Sequence, residues 1–343
     1  MGIGIIGCGA ISRMHIDAYA NIPGTPLRAV SDSDPVLAEK TGNAYGVPYY
    51  TDYHEMLCRD DLHIISICTP SGLHGEAAIA AAKAHKHVAV EKPMEVTADK
   101  IENIIHACTE SGVKLTCVYN SRYHESNRLI KRAADNGRFG AIISANAIIR
   151  WYREPDYYKN SSWRGTWALD GGGALMNQSI HYIDLLQWFA GDAASVYAKT
   201  GNLLHKYIEA EDTAAAVIRF KSGALGTVTA GTSVYPGYAA EIQISGEHGS
   251  VCVRDSVITA WDFRESHEID SEAAFLMNKQ INNNRASNPM AFNYESHKML
   301  LEKFVSAVRE DTEPEITGEE AAKSVKIVLA AYQSARENIE ILL

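Results

Sequence analysis

Lys92 stands in a Glu91-Lys92-Pro93 run, and His181 in the segment Asn177-Gln178-Ser179-Ile180-His181-Tyr182-Ile183-Asp184. An ammonium group can hold an oxygen on which negative charge develops. An imidazole can take the proton that leaves that oxygen. Asn177, His181 and Asp184 are spaced i, i+4, i+7, which places them on one face of a helix. Asp170-Gly171-Gly172-Gly173 precedes that helix. Three adjacent glycines are costly to order, so the run reads as backbone passing close to a ligand. A His and an Asp three residues apart also suit a metal. However, there is no second His at helical spacing and Asn is a poor ligand, so no metal is expected.

Gly7-Cys8-Gly9-Ala10-Ile11-Ser12 follows a short apolar run and opens a helix-like one. This is Gly-x-Gly-x-x-Ser. The first glycine serves a tight turn, the second lets backbone approach a pyrophosphate, and Ser12 is small enough for the third position. Asp32 follows the second strand at the distance expected of an acid that binds the adenosine ribose and repels a 2′-phosphate. With Ser33 and Asp34 next and no basic residue before Lys40, NAD is expected rather than NADP. The ends of later strands should line the same crevice: Cys68-Thr69-Pro70-Ser71 with His74, Glu91-Lys92, and Asn120.

These residues need a scaffold. Gly2–Ile6, Leu27–Ser31, Ile64–Cys68, His87–Val90 and Leu115–Tyr119 read as strands, with helical periodicity over Ala10–Asn21, Leu73–Ala84 and Thr97–Ser111. Ser33, Thr51, Ser71 and Thr97 are the expected helix caps. The alternation predicts an α/β fold with an N-terminal Rossmann domain over residues 1–120. Residues 121–343 read as a second domain with a β-rich block, whose short connections favour antiparallel neighbours. It begins with a helix over Ser126–Asn136 and a strand over Ala141–Arg150, followed by a long loop, Trp151–Trp167. After the helix that ends near Ala190 come strands at Ser195–Thr200, Thr213–Phe220, Ala224–Tyr235, Glu241–Ser245, Ser250–Val253 and Val257–Phe263, joined by short turns. The asparagine-rich stretch 278–288 reads as a mobile loop, followed by helices over Tyr294–Glu310 and Gly318–Asn338.

The chain has 343 residues and a net charge of −10. An acidic chain without a basic stripe points away from nucleic acid and anionic membranes as partners. No apolar run is long enough to span a bilayer. Six scattered cysteines form no Cys-x-x-Cys pair, which fits reduced thiols in a cytoplasmic protein.

Together the glycine loop, Glu91-Lys92-Pro93 and the Gly-Gly-Gly…His-x-x-Asp segment at 171–184 resemble the Gfo/Idh/MocA oxidoreductases, over essentially the whole chain. The resemblance implies a Rossmann domain followed by a C-terminal α/β domain with a large open, mainly antiparallel sheet, and NAD-dependent hydride transfer at a hydroxyl-bearing carbon of a sugar, glycoside, sugar nucleotide or polyol. Lys92 matches that family's active-site lysine and His181 its histidine. Inositol dehydrogenase-like members carry Asp four residues before that His. Asn177 stands there instead, so this version looks like members that act on pyranosides or sugar nucleotides. On that reading Lys92, Asn120, Asn177 and His181 contact substrate. Tyr152, Tyr157 and Tyr158 could stack on a pyranose, and Trp163-Arg164 could reach the cofactor or an anionic group. Two other functions use the same residues: a redox-assisted glycosidase or lyase that retains its NAD, and a non-catalytic NAD- or sugar-binding sensor. Apolar residues at both parities of the later strands, Ala214, Ala216 and Ile218 against Ala215, Val217 and Phe220, predict a sheet face buried in a homodimer or homotetramer.

Overall fold

The computed structural model describes residues 1–278 and 294–343. The asparagine-rich stretch 279–288 lies outside the described residues. The chain forms two compact units. One is Met1–Asn120, joined by the residues from helix Glu295–Glu310 through Ala322. The other starts at Ser121 and takes in Lys323–Leu343. The sequence reading kept 121–343 together. Helix Glu295–Glu310 instead packs on helix Ser12–Ala20 and touches the first unit's sheet, burying Leu300, Leu301, Phe304 and Val305.

The first unit holds six parallel strands: β1 (Ile3–Ile6), β2 (Leu27–Ser31), β3 (Tyr49–Tyr50), β4 (Ile64–Ile67), β5 (His87–Glu91) and β6 (Leu115–Val118). Their order is β3-β2-β1-β4-β5-β6. The order reverses between β1 and β4, the point where a doubly wound sheet opens a crevice beyond its strand ends. Strands β1, β4 and β6 are buried at every position, as a parallel sheet covered on both faces requires. Helix Ser12–Ala20 buries Ser12, His15, Ile16 and Tyr19, the i, i+3, i+4, i+7 stripe. Two caps fall one residue later than expected. Asp34 and Asp52, rather than Ser33 and Thr51, accept the first free amides of their helices, Val36 and Leu37 in one and His54 in the other. Thr97 sits at its cap position without a side-chain bond, and Ser71 opens a single 3₁₀ turn.

The second unit holds β7 (Ile142–Arg150), β8 (Ala193–Gly201), β9 (Thr213–Phe220), β10 (Leu225–Gly231), β11 (Glu241–Gly246), β12 (Gly249–Arg254), β13 (Val257–Phe263) and β14 (Ile341–Leu342). Their order is β13-β12-β11-β7-β10-β9-β8-β14, antiparallel except where β10 runs parallel to β7. Helix Ile180–Ala190 packs against β7 and β11. In β9, Ala214, Ala216, Ile218 and Phe220 are buried, and Ala215, Val217 and Arg219 are exposed. Phe220 thus shares the covered face with Ile218, as the two-residue period dictates, rather than the opposite face. The segment Trp151–Trp167 is not all loop: Pro155–Lys159 form a short helix. Among the described residues no helix is long and apolar enough to cross a membrane.

Candidate active site

In the first unit the glycine loop closes on the strand beside it. Gly7 has φ +93°, and a Cβ there would sit 2.6 Å from the carbonyl carbon of Cys68. At Gly9 a Cβ would meet nothing within 4 Å. Ser12 is buried, and its hydroxyl donates to the Gly9 carbonyl at 2.7 Å, so it fills the third glycine position with an internal bond. Asp32 is fixed beside the loop: Oδ2 accepts the Cys8 N–H at 2.7 Å and Oδ1 the Asp34 N–H at 2.9 Å. Helix Ser12–Ala20 has no side-chain cap at its N-terminus. At the end of β4, the buried Thr69 Oγ1 has no partner among the described residues. Open room at Gly9, an uncapped helix N-terminus, a held acid and an orphaned hydroxyl fit a dinucleotide. Burial pushes the Cys8 thiol up to about 11, so it is protonated at neutral pH.

Lys92 directly follows β5 and is joined to Pro93 by a cis peptide bond. Its N–H donates to Glu91 Oε2 at 3.0 Å. Glu91 Oε1 faces His15 Nε2 at 2.9 Å and His297 Nε2 at 3.6 Å. Burial pushes this carboxyl up, but the bonds to the two histidines outweigh it and hold Glu91 well below the usual carboxylate range. The three residues bring ligating atoms within 4.8 Å of one another. The 2.9 Å separation is a hydrogen bond, shorter than the roughly 3.4 Å that two ligands keep across a tetrahedral zinc. His74 bridges two loops of the crevice, with Nδ1 2.8 Å from the Pro93 carbonyl and Nε2 2.9 Å from that of Thr69. Asn120 is turned inward, its amide bonded to Ser296 Oγ at 2.9 Å and His297 Nδ1 at 3.2 Å.

In the second unit His181 lies in the first turn of helix Ile180–Ala190, and Asn177 in a π-helical turn, Ala174–Ser179, just before it. The glycine run is explained by protein rather than by ligand. A Cβ on Gly172 would sit 2.0 Å from the Tyr332 hydroxyl, and one on Gly173 would sit 1.9 Å from the Glu211 carbonyl oxygen. The Asn177 amide donates to Asp170 Oδ1, and Asp170 Oδ2 accepts the Gly165 N–H at 2.7 Å. Asp184 belongs to a buried pair with Arg122, which removes it as a candidate metal ligand. Arg153 donates to Gln178 Oε1 at 2.8 Å, and Gln178 donates to the Tyr157 hydroxyl at 2.9 Å. The Arg164 guanidinium stacks 4.2 Å over Tyr157 and 5.4 Å from Trp163. Its buried Nε has no partner among the described residues. Tyr158 is packed away, 4% exposed, with its hydroxyl on Thr232 Oγ1 at 3.0 Å, so it offers no stacking face. Tyr152 packs edge-on against Tyr235.

Comparison with known proteins identifies the family. Residues 1–119 match the oxidoreductase family model with an NAD-binding Rossmann fold, and residues 127–252 match the GFO/IDH/MocA C-terminal domain. The crystal structure of the WlbA dehydrogenase from Bordetella pertussis, in complex with NADH and UDP-GlcNAcA, is 35% identical. It covers all of this chain and 97% of its own, with a TM-score of 0.92. The chain belongs to the GFO/IDH/MocA oxidoreductase family. An uncharacterized oxidoreductase of Bacillus subtilis, YrbE, is 28% identical over 96% of this chain and 93% of its own. The myo-inositol 2-dehydrogenase of Thermotoga maritima is 26% identical over 98% and 97%. As a GFO/IDH/MocA member the protein is an NAD-dependent oxidoreductase that acts on hydroxyl-bearing carbons of sugars or polyols.

Several residues of this GFO/IDH/MocA site carry weak sequence signals. His15 was findable, because it falls on the buried stripe of its helix with Ser12 and Tyr19. Glu211-Asp212 directly precedes an apolar strand, an unusual place for two acids. Arg122 and His297 gave no local signal, since each acts on a partner far away in the chain.

Proposed function

We propose that this protein oxidises a ring hydroxyl of a nucleotide-linked sugar acid, with Lys92 and His181 at the reacting oxygen. The observation that carries this reading is full-length similarity to a dehydrogenase whose structure holds NADH and UDP-GlcNAcA. Asn177 in place of the Asp of inositol dehydrogenase-like members agrees with it. Arg164, with a buried guanidinium nitrogen that has no acceptor among the described residues, has the charge for an anionic substrate group.

NAD, when bound, supplies the nicotinamide that receives the hydride. Glycine-loop amides and the N-terminus of helix Ser12–Ala20 take its pyrophosphate, and Asp32 takes the adenosine ribose. Lys92 donates a hydrogen bond to the substrate hydroxyl oxygen and stabilises the charge that grows there. The His181 imidazole accepts the hydroxyl proton as the carbon gives up its hydride, so one C–H and one O–H bond break together. Asn177, oriented by Asp170, bonds a neighbouring hydroxyl. The functional unit is a symmetric homo-oligomer joined through the open face of the β7–β14 sheet.

The test is direct. Purified protein is mixed with NAD and UDP-GlcNAcA, and NADH formation is followed together with the mass of the sugar nucleotide. Formation of NADH with loss of two hydrogens from the sugar supports the reading. Turnover of free polyols with none of the sugar nucleotide would overturn it.

A further inference from the structure

Four consecutive backbone amides ahead of Asn177 end on two side-chain-bearing residues from far along the chain. Glu211 Oε2 accepts the Gly173 N–H at 3.0 Å, and Oε1 accepts the Leu175 N–H at 2.8 Å. The Glu211 carbonyl accepts the Ala174 N–H at 3.0 Å. The Met176 N–H donates to the Tyr332 hydroxyl at 3.2 Å, and that hydroxyl donates to Glu211 Oε1 at 2.9 Å. These are the amides that a helix N-terminus leaves without intrahelical partners. The turn they open, Ala174–Ser179, is π-helical, a rare geometry concentrated at functional sites. Gly172 and Gly173 lack side chains where Tyr332 and Glu211 press against them.

We propose that Glu211 is a positioning residue: its ionised carboxylate, with Tyr332, builds the π-helical turn that presents Asn177 and His181, and turnover falls when that carboxylate takes up a proton. The link to turnover rests on the reading of His181 given above. The clamp itself does not.

The physical argument is one of donors and acceptors. Two N–H groups and one O–H converge on two oxygens, which suits an acceptor-only carboxylate. A neutral carboxylic acid would set its own O–H against those donors. Burial pushes the Glu211 carboxyl up to about 7, although the Leu175 amide, the Tyr332 hydroxyl and the Gly173 amide pull it down. Tyr332, from helix Gly318–Glu337, is pushed well up by burial and stays a donor. The neighbouring acids are engaged elsewhere. Asp212 accepts the amides of Leu203, Leu204 and His205, and Asp170 is held on Gly165 and Asn177.

The test uses the full-length protein with Glu211→Gln and Tyr332→Phe. Hydrogen exchange, which needs no substrate, should be faster at residues 173–176 in Glu211→Gln. In turnover of NAD with UDP-GlcNAcA, Glu211→Gln should lose roughly 10- to 100-fold in kcat well above neutral pH, with KM for NAD unchanged. Glu211→Gln should lose the part of the acid-side fall in kcat centred at about 7 and keep only the part set by protonation of the His181 base. The lost part should move to higher pH in Tyr332→Phe, which removes a donor that favours the ionised form. Unchanged exchange at 173–176 in Glu211→Gln would overturn the clamp. An acid limb that persists unmoved in both variants would overturn its control of turnover. His181→Ala separates this from the broader reading: full turnover there removes the role of His181 and with it the link to catalysis, while the exchange result decides the clamp by itself.

Discussion

Arg122 and Asp184 form a fork-to-fork ion pair with both side chains buried, Nε to Oδ2 at 2.7 Å and Nη2 to Oδ1 at 2.6 Å. The guanidinium also lies 5.1 Å from the Trp188 ring. The pair ties the segment after β6 to the helix that carries His181. Removing one partner strands a buried charge, at a cost of about 3–5 kcal/mol. Asp184→Ala should therefore lose about that much in urea unfolding. The double variant Arg122→Met, Asp184→Leu should regain most of it, because no charge is then left alone. Equal stabilities of wild type and Asp184→Ala would show that the pair contributes nothing.

The second prediction concerns the nucleotide. Asp32 is locked between Cys8 and Asp34 amides, and in its proposed ribose-binding role its charge would oppose a 2′-phosphate. NAD should bind tighter than NADP, and Asp32→Ala should narrow or reverse that preference. Isothermal titration with both nucleotides checks it; tighter NADP binding by the wild type would refute the role of Asp32.

Lys92→Ala and His181→Ala should each lower kcat by about 10²–10⁴-fold, the usual contribution of a positioned acid or base. Affinity for NAD should hardly change. On the proposed mechanism the two groups act on one oxygen, so the double variant should be little worse than either single one. Near-wild-type kcat in both single variants would remove the mechanism.

Glu91 yields a prediction about pH. Its folded pKa lies well below the ordinary 4.5, so the stability it contributes is present above about 4.5 and is lost as pH falls through the folded value. Glu91→Gln should be less stable than wild type near neutral pH, and the gap should close on acidification. A gap that stays constant from neutral to strongly acidic pH would show that the charge is not what the histidines hold.

Much of this site is local in sequence, and that part was legible. Gly7, Gly9 and Asp32 lie within one strand-helix-strand unit, and Lys92 is marked by its position between a buried strand and a proline. The glycine run was seen but misassigned. What crowds Gly172 and Gly173 is Tyr332 and Glu211, and nothing in the run itself says whether a ligand or a distant side chain will fill the space. Asp184 was grouped with His181 by helical spacing. Its true partner, Arg122, is 62 residues earlier, beyond any periodicity. The π-helical turn escaped because a spacing argument presumes 3.6 residues per turn throughout.

The last prediction is assembly. The open face of the second sheet shows Tyr197 opposite Val217 on β8 and β9, with Val217 50% exposed. Leu225 on β10 is also exposed on this face. The row that begins with Tyr197 and Val217 continues through Thr227, Asn146 and Gln243, so the face turns polar toward β11. It is thus less uniformly apolar than the alternation of Ala, Val and Phe suggested. A face of this kind, apolar at intervals with hydroxyls and amides between, suits a partner that supplies both contacts and hydrogen bonds. A second copy related by a twofold axis does so, since it presents the same row reversed. Light scattering should therefore give a multiple of the 37.6 kDa chain mass at micromolar concentration. Val217→Glu would place two like charges in the symmetric contact and should shift the protein toward monomer. A wild-type monomer, or an oligomer indifferent to Val217→Glu and Tyr197→Glu alike, would rule out this face as the interface.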